Sequence, residues 1–242
     1  MRIRRLLVTR PRADAERFAA ALYGLGIEPL IEPMFEIEPG DPGRLELGDV
    51  QALLVTSRNG AAALAAATDR RDLAVFAVGE ASAATARALG FAEVASADGD
   101  AAALAAMVIS RLKPADGALL HIAGKAVAGD LVGTLAAAGF TARRHVLYEA
   151  RAATALSPAC AAALAGGELE AAAFFSPRTA ATFIRLVQAA TLRDRLAAMI
   201  AFCLSPAAAA AASTVPWRRV AVAERPNQAA LLELLQQEVD AR

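Results

Sequence analysis

Two short segments of the sequence combine residue types that could bind an anion. The first is ALLVTSRNGAAAL at residues 52–64, and the second is AAFFSPRTAATF at residues 172–183. In both segments an apolar strand ends at a serine, Ser57 or Ser176, and the start of a helix follows at once. The free backbone N–H groups and the positive dipole end of a helix N-terminus attract negative charge. The repeated pattern therefore predicts two anion-binding sites, one in each half of the chain. Together they would hold one polyanionic ligand.

The residues beside the two serines add further groups that suit a carboxylate. Thr56, Arg58 and Asn59 surround the first serine, and Pro177 and Arg178 follow the second. Hydroxyl, amide and guanidinium groups all donate hydrogen bonds to carboxylates. Ordinary N-capping, for which Ser and Asn are favoured, explains the same residues. Capping and anion binding use the same helix end, so both interpretations can hold.

Two further strand ends carry candidate binding residues. Gly79 follows the predicted strand 73–78, and Gly124 and Lys125 follow the predicted strand 117–122. A glycine there lets a ligand approach the backbone closely. Lys125 is one of only two lysines in the chain and could pair with a carboxylate, although a solvated loop lysine is an equal alternative.

The cysteines and histidines do not form a metal-binding pattern. Cys160 and Cys203 lie in apolar surroundings without a CxxC motif, and His121 and His145 have no partner at metal-ligand spacing. We expect inert buried thiols and no metal site. The chain also lacks the glycine-rich motifs GxGxxG and GxxxxGK[ST], which argues against a nucleotide-dependent enzyme.

Composition limits the remaining classes of function. The 242 residues include 25 basic and 25 acidic side chains, and this zero net charge argues against a nucleic-acid partner. The basic N-terminus has too short an apolar region for a signal peptide. Residues 196–217 carry no charge, but Pro206 interrupts them, so they indicate a strand followed by a helix rather than a membrane span. We expect a cytoplasmic protein without a membrane partner.

Strands alternate with helices along the whole chain. The strand segments are short and apolar without strict alternation, which is typical of strands buried on both faces of a parallel sheet. The pattern predicts an α/β fold. The predicted strands are residues 4–9, 28–32, 50–56, 73–78, 117–122, 142–148, 171–176, 199–204 and 218–223. The predicted helices are residues 12–25, 59–68, 80–89, 100–112, 128–138, 177–190, 206–213 and 227–239.

Two segments indicate connections between domains. Residues 33–49 are rich in Pro, Gly and charge, and residues 149–170 include a Gly-Gly pair. The segment before the first connection is only strand–helix–strand, which is too small for a core of its own. Pattern alone leaves open whether it joins the middle or the last part of the chain.

Seven motifs in order along the chain resemble the uroporphyrinogen-III synthase family. They are VTRPRADAERFAAALYGLGIEPLIEP, LLVTSRNG, FAVGEASAATARALGF, LLHIAGKAVAGDLVGTLAAAGF, VLYEA, FFSPRTAATF and VAERPNQAALLELL. The resemblance implies an α/β fold of two flavodoxin-like parallel-sheet domains joined by two extended linkers, with one domain inserted in the other. The domains would be residues 1–34 plus 158–242 and residues 46–146, with linkers at 35–45 and 147–157.

The resemblance also implies a function. The family is a group of cofactor-free lyases that close hydroxymethylbilane, a linear tetrapyrrole with eight carboxylates, with loss of water and inversion of the last pyrrole ring. Tyr148 in VLYEA matches the family's proposed proton donor to the departing hydroxyl, and Ser82 matches a substrate-facing hydroxyl. The sequence departs from the family pattern at Ser205, Ala207 and Ala208, which replace a glycine and two threonines. Binding at that strand end is therefore doubtful.

Two other classes of protein share features of this pattern. A two-component receiver has a related fold but needs an acidic cluster at its strand ends, which these strand ends lack. The main alternative is a two-lobed, non-enzymatic binding protein for a polyanionic small molecule, which would need no acid at Tyr148. We expect a monomer that makes at most transient contact with the preceding enzyme of the pathway.

Overall fold

The chain folds into two compact units in a computed structural model that describes residues 3–40, 43, 45–126 and 129–240. One unit comprises Met1–Glu36 and Arg151–Arg242, and the other comprises Ile37–Ala150. The domain and linker boundaries given above remain a prediction. Residues 41, 42 and 44 of the predicted linker 35–45, residue 128 of the predicted helix 128–138, and both ends of the predicted discontinuous domain lie outside the described residues.

The described elements alternate between strand and helix. The strands are β1 (Arg5–Val8), β2 (Glu28–Ile31), β3 (Phe35–Pro39), β4 (Val50–Val55), β5 (Ala74–Ala77), β6 (Val94–Ser96), β7 (Ala118–Gly124), β8 (Ala142–Ala152), β9 (Ala171–Phe174), β10 (Ile200–Cys203) and β11 (Arg219–Val222). The α-helices are α1 (Arg12–Gly24), α2 (Arg58–Ala67), α3 (Glu80–Ala88), α4 (Ala101–Arg111), α5 (Leu131–Ala137), α6 (Pro158–Ala165), α7 (Pro177–Ala189), α8 (Pro206–Ala212) and α9 (Gln228–Asp240). Short 3₁₀ turns occupy Pro114–Asp116 and Arg193–Ala198.

The first unit contains a five-stranded sheet in the order β11-β10-β9-β1-β2, with every neighbouring pair parallel. Counted along the chain within the unit, this is the order 2-1-3-4-5 of flavodoxin-like folds. Helices α1 and α9 cover one face through residues such as Phe18 and Leu231, which are buried beside Leu6. On the other face Phe174 packs against Phe183 and Trp217.

The second unit contains a six-stranded sheet in the order β3-β8-β7-β4-β5-β6. Strands β4 to β8 are parallel and, counted along the chain, have the doubly wound order 3-2-1-4-5. Helices α2 and α3 pack on one face, where Leu53 and Leu64 are buried. Helices α4 and α5 pack on the other, where Leu54 and Leu104 are buried.

All nine predicted strands are present, and they form parallel pairs within two α/β sheets as the sequence predicts. Two hydrogen bonds show that strand β3 runs antiparallel to β8. The N–H of Gly40, after β3, donates to the carbonyl of Leu147 in β8, and the N–H of Ala153, after β8, donates to the carbonyl of Met34 before β3. The sequence missed β3 because its Pro and Gly neighbours are typical of a connection. It also missed β6, which is only three residues long.

Helix α6 lies in the segment that the sequence indicated as a connection. Ser157 caps it by accepting a hydrogen bond from the N–H of Cys160. The buried carboxylate of Glu32 accepts hydrogen bonds from the N–H and the hydroxyl of Ser157, at 2.7 and 2.6 Å. This long-range anchor fixes the start of α6, and no local pattern reveals it.

No helix in the described part of the chain is long and apolar enough to cross a membrane. The uncharged segment 196–217 forms β10 and α8, with the end of a 3₁₀ turn before them. The predicted strand and helix at this segment are therefore confirmed.

Candidate functional site

The candidate site lies at the carboxyl ends of β4 and β7 in the second unit. Strands β5 and β6 lie on one side of β4, and strands β7 and β8 lie on the other. The direction of winding therefore reverses between β4 and β7, and ligands of open α/β sheets bind at such a reversal. Thr56 and Ser57 follow β4, Gly124 ends β7, and Tyr148 is paired with Gly124 in the register of β8.

Ser57 joins helix α2 to Tyr148. It is the N-cap of α2 and accepts a hydrogen bond from the N–H of Gly60, at 2.9 Å. Its hydroxyl oxygen also lies 2.8 Å from the phenol oxygen of Tyr148. The capping interpretation of Ser57 is confirmed, and the same hydroxyl contacts the predicted proton donor.

The ring of Tyr148 lies directly against Gly124. A Cβ atom at position 124 would lie 2.7 and 2.8 Å from two ring carbons of Tyr148 and 3.1 Å from its phenol oxygen. These distances are too short for any side chain, so the ring occupies its place because residue 124 is a glycine. The backbone N–H of Lys125 donates to the carbonyl of Tyr148 at 2.9 Å, which fixes the neighbouring backbone as well.

The ammonium group of Lys125 pairs with a carboxylate of the protein. Its Nζ lies 3.2 Å from Glu149, and both side chains are exposed. An exposed ion pair contributes only about 0–1 kcal/mol, so a ligand carboxylate can compete with Glu149 at little cost. The Arg144 guanidinium donates hydrogen bonds to the carbonyl oxygens of Gly124 and Lys125, each at 2.6 Å, and holds this strand end.

His121 is a residue of the site that the sequence analysis did not assign to it. Its Nε2 lies 3.3 Å from the hydroxyl oxygen of Thr56, and the residue is only 4% exposed. Burial, assisted by the positive charge of Arg144, lowers the pKa of His121 to about 4. The imidazole is therefore neutral near pH 7. The one feature of the sequence that could have identified His121 is its position as a polar residue inside the otherwise apolar strand β7.

The predicted residues Gly79 and Ser82 lie at the end of β5, the neighbour of β4. Gly79 is the N-cap of α3 and has nearly the same extended backbone angles as Ser57. A Cβ atom at Gly79 would meet nothing within 4 Å, so the fold itself does not require a glycine there. Ser82 is buried in α3, at 5% exposure, and Glu80 pairs with Arg87 at 2.5 Å.

The second predicted group belongs to the other unit. Ser176 caps α7 with the same extended backbone as Ser57, and it forms a capping box with Thr179. Pro177 is the first residue of the helix, and the guanidinium of Arg178 lies 4.7 Å from the ring centre of Phe35. Ser205 caps α8 in the same way.

An apolar pocket of ≈ 380 Å³ lies beside Tyr148. One wall is the face of α2, where alanines leave open space, and the other contains residues of β3 and β8. Besides Tyr148, its lining residues are Ile37, Pro39, Gly40, Asn59, Ala62, Ala63, Ala66, Ala67 and Leu147. No acidic or basic side chain is among these residues.

The described residues contain no group of three or more His, Cys, Asp or Glu side chains that could hold a metal ion. Burial raises the pKa of Cys160 and Cys203 to about 12, with a further contribution from Glu32 at Cys160. Both thiols are therefore protonated near neutral pH and are weak nucleophiles.

A model of the family described as "Uroporphyrinogen-III synthase HemD" matches residues 16–233. The chain belongs to this family. The HemD family consists of enzymes of tetrapyrrole biosynthesis, so the resemblance that the seven motifs indicated is confirmed at the level of the family. No curated protein gave a significant match to the chain.

Solved structures of HemD proteins share the fold. The uroporphyrinogen-III synthetase of Helicobacter pylori has 17% identity and a TM-score of 0.66, covering 98% of this chain and 100% of that one. A mutant uroporphyrinogen III synthase of Thermus thermophilus has 19% identity and a TM-score of 0.58, covering 99% of this chain and 100% of that one. At these identities the similarity shows the α/β fold with two parallel-sheet domains.

Proposed function

We propose that the protein is a uroporphyrinogen-III synthase. It closes hydroxymethylbilane to a macrocycle, with loss of water and inversion of the last pyrrole ring. The proposal rests mainly on the position of Tyr148 in a chain that belongs to the HemD family. Its hydroxyl oxygen lies 2.8 Å from the hydroxyl oxygen of Ser57, at the point where the winding of the sheet reverses.

The chemistry asks little of the protein beyond one proton and a fixed orientation. The electron pair of the nitrogen in the pyrrole ring that carries the terminal hydroxymethyl group expels the hydroxyl while Tyr148 donates a proton to it, so that water leaves. The substituted α-carbon of the last ring attacks the resulting methylene carbon and forms a spiro intermediate. The bond from this α-carbon to its original methylene bridge then breaks, the bridge rejoins the ring at its free α-carbon, and that carbon loses one proton when the inverted macrocycle is complete. That proton can return to Tyr148, and the overall change is the loss of one water molecule.

Helix N-termini at the strand ends supply groups for the carboxylates of the substrate. In the second unit the candidates are Thr56, Arg58, Asn59, Gly79, Ser82 and Lys125. In the first unit they are Ser176, Pro177 and Arg178. Each lies at or just after the start of a helix or beside a strand end, where backbone N–H groups and the helix dipole favour an anion.

The apolar pocket beside Tyr148 suits the flat face of a pyrrole ring. A ring held there would keep water from the reactive methylene carbon after the hydroxyl has left. Since hydroxymethylbilane can also close unaided without inversion, the enzyme must hold the last ring so that inversion is faster. This is catalysis by orientation.

Incubation of the purified protein with freshly made hydroxymethylbilane, followed by separation of the product isomers, tests the proposal. We expect the inverted isomer III to dominate, whereas a reaction without protein gives isomer I. Formation of isomer I alone, at the unaided rate, would contradict the proposal. Tight binding without any change in the isomers would indicate the alternative function, a non-enzymatic binding protein for a polyanion.

A further inference from the structure

We propose that Ser57 and Gly124 are positioning residues, which hold the phenol of Tyr148 ready to donate its proton, and that they do not bind the substrate. This inference rests on the proposed function, because it concerns the residue that would protonate the departing hydroxyl. It changes the roles that the sequence suggested for Ser57 and Gly124, which were direct contacts with substrate carboxylates.

The hydrogen bonds of Ser57 support this change of role. A serine hydroxyl has one proton to donate and two lone pairs to accept with. One lone pair of Ser57 accepts the N–H of Gly60 at 2.9 Å, and the remaining contact of the hydroxyl, at 2.8 Å, goes to Tyr148. If Ser57 donates its proton to the phenol oxygen, nothing is left to donate to a substrate carboxylate.

This direction of donation also leaves the proton of Tyr148 available. When Ser57 donates to Tyr148, the phenol keeps its own O–H for a second partner, which is the departing hydroxyl of the substrate. The negative charge that develops on the phenol oxygen is then stabilised by Ser57, whose hydroxyl is polarised by the N–H of Gly60 at the positive end of α2. The chain of hydrogen bonds runs from Gly60 through Ser57 to Tyr148.

Gly124 fixes the plane of the same ring. A side chain at this position would overlap two ring carbons of Tyr148, at 2.7 and 2.8 Å from its Cβ atom. Contact with the bare backbone of Gly124 leaves the ring little freedom to tilt toward β7. The space beside the backbone of Gly124, where the sequence suggested the close approach of a ligand, is instead occupied by the ring of Tyr148.

Ser176 in the other unit provides the comparison that makes the proposal testable. Its backbone angles, φ −157° and ψ 157°, match those of Ser57, φ −157° and ψ 159°. The described hydrogen bonds of its hydroxyl all go to Thr179 within the capping box. Ser57 and Ser176 are therefore equivalent as helix caps, but only Ser57 is bonded to the proposed proton donor.

A double-mutant cycle separates positioning from substrate binding. We expect Ser57→Ala to lower kcat about tenfold, as for the loss of one hydrogen bond in the transition state, with KM changed less than about threefold. In the Tyr148→Phe background the same change should have no further effect on kcat, because Ser57 acts only through the phenol. Ser57→Thr, which keeps a capping hydroxyl, should restore most of the rate.

Two serine variants serve as controls. Ser176→Ala removes an equivalent cap and should act mainly on KM, by equal factors in the wild-type and Tyr148→Phe backgrounds. Ser205→Ala removes the cap of α8 and measures the effect of a lost cap alone. If Ser57→Ala lowered the rate by the same factor in both backgrounds, or acted only on KM, Ser57 would be a substrate ligand and the proposal would be wrong.

NMR spectroscopy tests the contact without substrate. Tyr23 is the only other tyrosine and is 64% exposed, so Tyr23→Phe leaves Tyr148 as the single tyrosine signal. We expect the ring resonances of Tyr148 to shift in Ser57→Ala, where the phenol oxygen loses its hydrogen-bond partner, and to stay unchanged in Ser176→Ala. Gly124→Ala should shift the ring resonances. Unchanged Tyr148 signals in Ser57→Ala would overturn the proposal.

The two experiments fail in distinguishable ways. If the wild-type protein does not convert hydroxymethylbilane to isomer III, the proposed function is wrong, and the proton-donor part of this inference is wrong with it. The NMR measurement still decides whether Ser57 and Gly124 position Tyr148. If the wild-type protein is active and the cycle shows independent effects, the proposed function stands and the positioning role is wrong.

Discussion

At the residue scale, a serine that caps a helix still has one hydroxyl proton to donate. The partner of this hydroxyl distinguishes the strand end at Ser57 from the otherwise equivalent strand end at Ser176. At Ser57 the hydroxyl lies 2.8 Å from the phenol of Tyr148. At Ser176 the described hydrogen bonds of the hydroxyl stay within the capping box. The chemical difference between the two sites therefore comes from a single partner on a neighbouring strand.

Replacement of Tyr148 by Phe tests the proton donor. A positioned general acid typically contributes about 10²- to 10⁴-fold, so we expect the rate of dehydration to fall within this range. The preference for isomer III should remain, because orientation comes from contacts with the carboxylates and the pyrrole rings. Initial rates and isomer ratios measured on the same samples check both parts. A variant with the full wild-type rate would exclude Tyr148 as the acid.

His121 predicts how stability depends on pH. Its pKa is about 4 in the folded protein, against about 6.5 when unfolded, so the unfolded chain takes up the proton first as the pH falls. This protonation does not reduce the free energy of unfolding above about pH 6.5. As the pH falls from 6.5 toward 4, it lowers the free energy of unfolding by a total of ~3 kcal/mol. We expect His121→Leu to show a shallower loss of unfolding free energy over this window.

Urea unfolding at a series of pH values between about 7 and 4.5 measures this effect. His145→Leu, which removes the other histidine from the neighbouring strand β8, is the matched comparison. An equally steep decline in wild type and His121→Leu would show that burial of His121 does not produce the pH dependence.

At the scale of elements, the site depends on strands that end where helices begin. Ser57, Gly79, Ser176 and Ser205 all cap helices with similar extended backbone angles. This repeated geometry places helix N-termini at the carboxyl edge of each sheet. Helix α2 has a second role, because its alanine face leaves the apolar pocket beside Tyr148 open.

Filling this pocket should weaken the control of ring inversion. Ala66 is exposed on α2 and lines the pocket. Because leucine is also a good helix former, Ala66→Leu should fill part of the pocket with little effect on the stability of α2. We expect a lower ratio of isomer III to isomer I and an unfolding free energy within about 0.5 kcal/mol of wild type. Ala106→Leu, on the exposed face of α4, is the control. An unchanged isomer ratio in Ala66→Leu would show that no pyrrole ring occupies the pocket.

At the scale of the whole molecule, each unit has a sheet with helices on both faces and its own buried core. The second unit is continuous in sequence, and its two apolar clusters lie on opposite faces of one sheet. The first unit needs both ends of the chain, because β1 lies between β2 and β9. The two units should therefore differ in their ability to fold alone.

A fragment of residues 35–152, which contains the whole of β3 and β8, should fold cooperatively on its own. We expect a single thermal transition by circular dichroism and Tyr148 ring signals like those of the full chain. The fragment should not form isomer III, since it lacks the carboxylate-binding groups proposed at Ser176. An unfolded fragment would show that the second unit depends on the first, and a fully active one would remove the first unit from the proposed mechanism.

Local patterns in the sequence were enough to identify most elements and the helix caps. A short apolar run predicts a buried strand, and a serine at the end of such a run predicts the start of a helix, because both depend on neighbouring residues only. Strand β6 and helix α6 were missed because a three-residue strand carries little signal and because Glu32, which anchors α6, is far away in sequence. The motifs also identified the family, which the match to residues 16–233 confirms.

The tertiary structure alone decided what those residues contact. Ser57 and Tyr148 are 91 positions apart, and they meet because β7 pairs with β4 on one side and with β8 on the other. The same register brings Tyr148 onto Gly124, and β7 carries His121 to Thr56. Strand order and register depend on how whole elements pack, and no short pattern encodes them. The sequence therefore determined which groups stand at the strand ends, and the packing of the strands determined which of them touch.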